Sequence, residues 1–269
     1  NLQQQLVEIG YQGKKLEELE SLSATEKANM LFIVQDPYTS YYDAKVVRDF
    51  VALTQKLGFE PILLPFKPNG KAMHIKGFLA RFSKTAKTQA EFLNRIAKLN
   101  VPLVGVDPAI VLSYRDEYKE ALGDSRGDFH VLTAHEWLTN QLESNALQSA
   151  VKNIAKSDRT FEWHLFPHCT ESTFMPNSPK EWQNIFAQFG QTLNVEKVGC
   201  CGMAGVFGHE VQNQTMSKDI YDVSWGKKLQ GKDPNHCLAT GYSCRSQVKR
   251  YEKAILKHPV QALLEVLNH

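Results

Sequence analysis

The sequence predicts an α/β protein made of two tandem, pseudo-repeated units, each a parallel sheet flanked by helices. Three observations carry this prediction. Short apolar runs alternate with amphipathic stretches of helical period from residue 30 onward. Glycines stand just past the ends of the first helical stretch of each half, where a left-handed cap is needed. The two halves overlay at an almost fixed offset, Gly58 on Gly190, Gly70 on Gly202, Asp36 on Cys169 and Ile110 on Cys244.

Residues 1–29 are polar and charged, with Leu16, Leu19 and Leu22 at helical spacing, and read as a helical lead-in. Met30-Leu31-Phe32-Ile33-Val34 is a continuous apolar run suited to a buried parallel strand. A helix follows from Ala44 to Leu57, ended by Gly58. Pro61 to Pro65 is a second strand, and Lys76 to Leu99 a long helix. Val101 to Val106 is a third strand, Ile110 to Leu122 a helix, Phe129 to Leu132 a short strand and Ala134 to Leu142 a helix.

The second half repeats the plan. Strands are predicted at Phe161 to Phe166, Val195 to Val198 and Cys237 to Thr240. Helices are predicted at Pro179 to Phe189, at 213–229 and at Arg245 to Lys257. His258-Pro259 opens a terminal helix, with proline in a first-turn position. The expected division is a lead-in (1–29), a first unit without cysteines (30–150) and a second unit with them (151–269), the boundary falling near residue 150.

The chain has 269 residues, 42% hydrophobic and 22% charged, with a formal net charge of +2. These values exclude a disordered or collagen-like chain. With no basic stripe they give no support to a nucleic-acid partner. No apolar run approaches a membrane-spanning length. The start, Asn1-Leu2-Gln3, is neither an initiator methionine nor a signal peptide, so the sequence reads as a piece of a longer polypeptide.

All five cysteines lie in the second half. An odd count and an adjacent pair argue against a secreted disulfide framework and for thiols used in metal or redox work in a reducing, cytoplasmic setting. Cys169, the Cys200-Cys201 pair and Cys244 each follow a predicted strand. In an open parallel sheet the carboxyl ends of the strands share one edge, where ligands bind. Three loops would thus bring four thiolates to one place, the number that a tetrahedral zinc or an iron–sulfur cluster requires. Gly202, Gly205 and Gly208 would let the backbone approach such a centre, and a helix starting after Gly208 would favour thiolate. Cys237 lies inside a strand and reads as a core residue. His168 and His209 flank the thiols as supporting hydrogen-bonding candidates, together with Gly202 and Gly205. Direct thiol–disulfide exchange at Cys200-Cys201 leaves Cys169 and Cys244 without a role.

The pattern Cys169 … Cys200-Cys201-Gly202 … Cys244 resembles the cysteine-rich CCG domain, found in the heterodisulfide reductases, the glycolate oxidase iron–sulfur subunit and the anaerobic glycerol-3-phosphate dehydrogenase anchor subunit. The first half narrows the resemblance. Asp36-Pro37-Tyr38-Thr39-Ser40-Tyr41-Tyr42-Asp43 and the segment Lys67 to Gly77 are similar to the C-terminal region of large bacterial FAD-linked oxidases of the D-2-hydroxyglutarate dehydrogenase type.

The resemblance implies an electron-transfer module. It would carry a 4Fe-4S cluster on Cys169, Cys200, Cys201 and Cys244, and receive electrons from FAD reduced by D-2-hydroxyglutarate or D-lactate. The FAD and ferredoxin-like domains would lie elsewhere on the same polypeptide, with a separate electron acceptor. The location would be cytoplasmic or peripheral at the inner membrane. The alternative is a structural zinc domain docked on the same enzyme. Where some relatives have a final Cys-x-x-Cys, this sequence has Gly241 and only Cys244, which favours a four-thiolate site over the five-cysteine clusters of heterodisulfide reductases. The first half, with Asp36, Lys67 and Pro68 near the corresponding positions, is expected to hold no cluster.

Lys67, Asn69, Lys71, His74 and Lys76 form a basic, turn-rich segment, readable as an anion or docking loop or as a solvated turn. Tyr38, Tyr41 and Tyr42 are candidates for a docking surface or for core. No dinucleotide fingerprint, P-loop or nucleophile elbow is present.

Overall fold

The computed structural model describes residues 1–144, 147 and 160–268. The chain divides into two compact units, Asn1–Trp137 and Leu138–His269. The boundary expected near residue 150 falls outside the described residues.

The first unit is built on a four-stranded parallel sheet in the order β2-β1-β3-β4, from β1 (Met30–Val34), β2 (Glu60–Leu63), β3 (Leu103–Gly105) and β4 (Val131–Thr133). β1 is apolar throughout because it is buried along its whole length with a strand on either side. Helix Ala44–Lys56 links β1 to β2, and Leu79–Ala97 links β2 to β3. Gly58 caps the former with φ +87°. On one face Phe82, Tyr114, Tyr118 and Phe129 form an edge-to-face aromatic stack with ring centroids 5.1 to 6.3 Å apart.

The helix predicted over residues 76–99 is Leu79–Ala97, starting only after Gly77 turns the chain with φ +75°; a separate short helix, Lys71–Ile75, precedes that turn in the segment read as a loop. The helix predicted over 110–122 starts earlier, at Pro108. Asp107 caps it, its carboxylate accepting from the Ala109 and Ile110 N–H groups, and a break at Asp116 separates it from Glu117–Leu122. The lead-in is three short helices, Leu2–Glu8, Leu16–Leu19 and Ala24–Lys27.

The second unit carries a three-stranded parallel sheet in the order β6-β5-β7, from β5 (Glu162–Phe166), β6 (Thr192–Val195) and β7 (Cys237–Ala239). The first strand is again central, with the second and third on its two sides, as in β2-β1-β3. Helix Ser178–Gln188 joins β5 to β6 and ends before Gly190 at φ +68°. β6 lies earlier than the predicted 195–198, because Glu162 pairs with Thr192 and Leu165 with Val195; residues 196–199 are the lead from the sheet to the cysteine pair. Helix Tyr242–Glu252 starts earlier than predicted and ends at Lys253 in a left-handed turn. The terminal helix Pro259–Val266 opens with a capping box on His258 and Gln261. Among the described residues, no helix is long and apolar enough to cross a membrane.

Candidate metal centre

Three segments at the carboxyl edge of β5, β6 and β7 bring the cysteines together. Cys169 opens a one-and-a-half-turn helix, Cys169–Phe174, three residues after β5. Cys244 sits in the first turn of Tyr242–Glu252, after β7. The sequence alone puts both in loops; only Cys200 and Cys201 are. No α-helix starts directly after Gly208. Two single 3-10 turns, Phe207–His209 and Val211–Asn213, intervene before Gln214–Tyr221.

The strand ends are tied together by a buried polar chain. The His168 N–H donates to the Thr240 hydroxyl at 2.9 Å, and that hydroxyl donates to the Glu171 carboxylate, which also accepts from the Ser178 hydroxyl. Glu171 is 1% exposed and Thr240 1%. The residues after β7 are thereby fixed to the turn that carries Cys169. Arg245 reaches back to the carbonyls of Ala239 and Thr240 at 2.9 and 3.0 Å, which draws the start of its helix forward to Tyr242. The His168 side chain accepts from Thr170 N–H at 3.2 Å, and its ring lies against Gly241, where any Cβ would collide with it.

The vicinal pair is held from the other side. Gly199 N–H donates to the Ser224 hydroxyl at 2.7 Å, and the Trp225 indole donates to the Gly199 carbonyl at 3.1 Å. Gly202 takes φ +82°, and a Cβ there would run into the Ser217 carbonyl oxygen. Glycine is required at this point by both conformation and space.

All five thiols are free. Cys201 and Cys244 are buried, at 3% and 1% exposure, whereas Cys169 and Cys200 are half-buried. The sulfurs touch in sequence, Cys169 to Cys200, Cys200 to Cys201 and Cys201 to Cys244, and Cys169 also feels the charge of Cys244. The Cys200 thiol is held far below the ordinary thiol range. It accepts hydrogen bonds from Cys169 and then Cys201, and further from the Gly202 and Ala204 N–H groups, the first of these at 3.3 Å. Cys169 and Cys201 are pushed up chiefly because they donate to it, with burial adding to the effect. The neighbouring thiols thus favour negative charge on Cys200 over Cys169 or Cys201. Among the described residues, no three or more His, Cys, Asp or Glu side chains form a ready ligand set around a single ion. As a donor set, four cysteine sulfurs are the soft ligands that iron–sulfur and zinc centres use.

Comparison with curated proteins gives the context of this edge. The chain is similar to D-2-hydroxyglutarate dehydrogenases. It is 82% identical over 268 residues to the Haemophilus influenzae protein of that name and 57% identical over 268 residues to that of Escherichia coli K12, all of the chain being matched in each case. It spans 26% of the length of each, about a quarter. At 21% identity, 86% of the chain also matches 57% of one subunit of the anaerobic glycerol-3-phosphate dehydrogenase of Escherichia coli. No protein-family model matches.

The other sequence candidates are placed as follows. Cys237 is fully buried at the start of β7, its thiol pushed up to about 11 by burial. His209 is exposed, its imidazole pushed down by partial burial and by Arg250. Gly205 is exposed with φ +70°. In the first unit Lys71 pairs with Glu117, Lys67 lies 5.6 Å from the Phe92 ring and His74 packs on Phe82. Asn69 is buried, its side-chain oxygen accepting from Lys71 N–H. Lys76 is exposed. Tyr38 packs against the core, whereas Tyr41 and Tyr42 are 66% and 73% exposed. Sequence reasoning missed Glu171, Thr240, Ser217 and Gln247, whose roles arise from contacts across long stretches of chain.

Proposed function

We propose that this chain is the cysteine-bearing electron-transfer portion of an FAD-linked D-2-hydroxyglutarate dehydrogenase, holding a 4Fe-4S cluster on Cys169, Cys200, Cys201 and Cys244. The observation that carries the reading is the meeting of these four free cysteines from three separate strand ends, each side chain within interaction range of the next. Similarity along the whole chain to D-2-hydroxyglutarate dehydrogenases supports the substrate, and the CCG-like cysteine pattern supports the cofactor.

When bound, such a cluster would accept and release one electron at a time. The chain's own residues do the rest. Cys201 and Cys244 supply thiolates from the apolar core formed by Phe166, Trp225 and Val248, which excludes water from that side. Cys169 and Cys200 face the surface and define the edge at which electrons enter or leave. The Thr240–Glu171–His168 chain keeps the strand ends from shifting, so that a change of charge meets a fixed frame. The hydride chemistry belongs to the flavin.

The test is anaerobic reconstitution of the full-length protein, followed by iron, sulfide and visible-absorption measurements. Stoichiometric iron and sulfide that vanish in Cys200→Ser are expected. Full-length protein with reduced thiols that takes up zinc but no iron would refute the reading in favour of a structural zinc domain.

A further inference from the structure

We infer that Gln247 and Ser217 are positioning residues that aim two backbone N–H groups at the sulfurs of Cys200 and Cys201 and so set the reduction potential of the thiolate-bound centre; this rests on the electron-transfer reading above.

Both residues are fully buried. Gln247 lies one turn beyond Cys244 on the same helix. Its side-chain amide donates to the Cys201 carbonyl at 2.9 Å and to the Ser217 hydroxyl at 2.8 Å. The Ser217 hydroxyl in turn donates to the Gly202 carbonyl at 2.7 Å. Two consecutive carbonyls of the cysteine loop are thereby anchored.

The consequence follows from peptide geometry. A trans peptide is planar, and its C=O and N–H point to opposite sides. Anchoring the Cys201 carbonyl on Gln247 therefore turns the Gly202 N–H the other way, and it meets the Cys200 sulfur at 3.3 Å. Anchoring the Gly202 carbonyl on Ser217 turns the next N–H, that of Met203, towards the Cys201 sulfur, with which it is hydrogen-bonded. Hydrogen bonds to thiolate sulfur stabilise the more reduced, more negative state of a centre and raise its potential. The absence of a side chain at Gly202 lets the loop come this close; a Cβ there would meet the Ser217 carbonyl and lie 3.3 Å from the Gln247 amide nitrogen. Gln247 and Ser217 act on the sulfurs through these two peptide planes.

The experiment compares wild type, Ser217→Ala, Gln247→Met and the conservative Ser217→Thr in the full-length protein reconstituted without oxygen. Iron content, circular dichroism, midpoint potential by redox titration, and pulsed EPR of exchangeable protons near the centre are measured. Ser217→Ala and Gln247→Met are expected to keep the fold and the iron and to lower the potential. The expected size is about tenfold in the one-electron equilibrium, or about 59 mV, with fewer strongly coupled exchangeable protons. Ser217→Thr is expected to restore both. Should Gln247→Met fail to fold, the single-hydroxyl deletion at Ser217 decides alone. Iron-loaded variants with unchanged potential and unchanged proton couplings would overturn this inference only. Folded variants that no longer hold iron would also overturn it, by making the residues determinants of assembly. Wild type that takes up no iron would overturn the electron-transfer reading, and this inference with it.

Discussion

Replacing Asp36 by Asn should reverse sign in its effect on stability across the neutral pH range. Asp36 stands just past β1, where the second unit has Cys169 after β5, and is 2% exposed. Its carboxylate accepts from the Tyr38 and Thr39 N–H groups at 2.8 and 2.9 Å and from the Thr39 hydroxyl. Burial and the neighbouring Asp107 nevertheless raise its pKa from the ordinary 3.8 to about 7. The folded protein therefore binds this proton more tightly than the unfolded chain does. The stability it contributes is fully present below the unfolded value and is lost as pH rises through about 7. The gap corresponds to an upper limit of roughly 4 kcal/mol, at about 1.4 kcal/mol per pH unit. Asn keeps an acceptor for both N–H groups and carries no charge to repel Asp107. Asp36→Asn should thus be neutral or mildly destabilising near pH 5 and stabilising near pH 8, the difference between the two conditions reaching about 2 kcal/mol or more. Denaturant midpoints of wild type and variant across that range test it, with amide hydrogen exchange in β1 assigning the change to this unit. Parallel wild-type and variant profiles would refute the buried-carboxylate argument.

Other perturbations have equally definite outcomes. Gly202→Ala should cost about 3 kcal/mol or more, from the left-handed φ together with the collision at the Ser217 carbonyl, whereas Gly58→Ala, with φ +87° but open space around its Cβ, should cost about 1 kcal/mol; thermal or denaturant unfolding separates them. Cys237→Ala should leave iron and sulfide uptake at the wild-type level, while Cys169→Ser or Cys244→Ser lowers it severely, as metal analysis would show. In metal-free protein Cys200 should be alkylated at a rate nearly independent of pH between about 6 and 8, because its thiolate is already formed there, while an ordinary thiol accelerates about tenfold per pH unit below its pKa; mass spectrometry of the labelled peptide reads this directly. Trp225→Phe should lose the bond to the Gly199 carbonyl at a cost of about 1 kcal/mol, measurable by equilibrium unfolding.

Much of this architecture is legible in the letters. The five-residue apolar run of β1 signals a strand buried on both faces. Gly58 and Gly190 mark helix ends because few other residues take their φ. The vicinal cysteines in a glycine-rich loop point to a thiol site because that is a poor way to fill a core. The parts that are not legible depend on contacts between distant positions. Cys244 reads as a loop residue because nothing local reveals that Arg245 folds back on the Ala239 and Thr240 carbonyls and pulls the helix start forward. Gln247 and Ser217 look like ordinary polar helix positions; only the approach of residues 201 and 202, far along the chain, makes them buried clamps. Glu171 would pass for an exposed acid were Thr240 and Ser178 not folded against it.

The contact between His168 and Gly241 has a consequence for how such a site can change over time. The imidazole occupies the volume that any side chain at 241 would need. A thiol introduced there by Gly241→Cys cannot simply join the other four; it must first evict the ring, and with it the cap on the turn that presents Cys169. The two positions are therefore sterically linked: Gly241→Cys should destabilise the turn that presents Cys169, and a smaller residue at 168 should relieve part of that loss, as unfolding of the single and double variants would read.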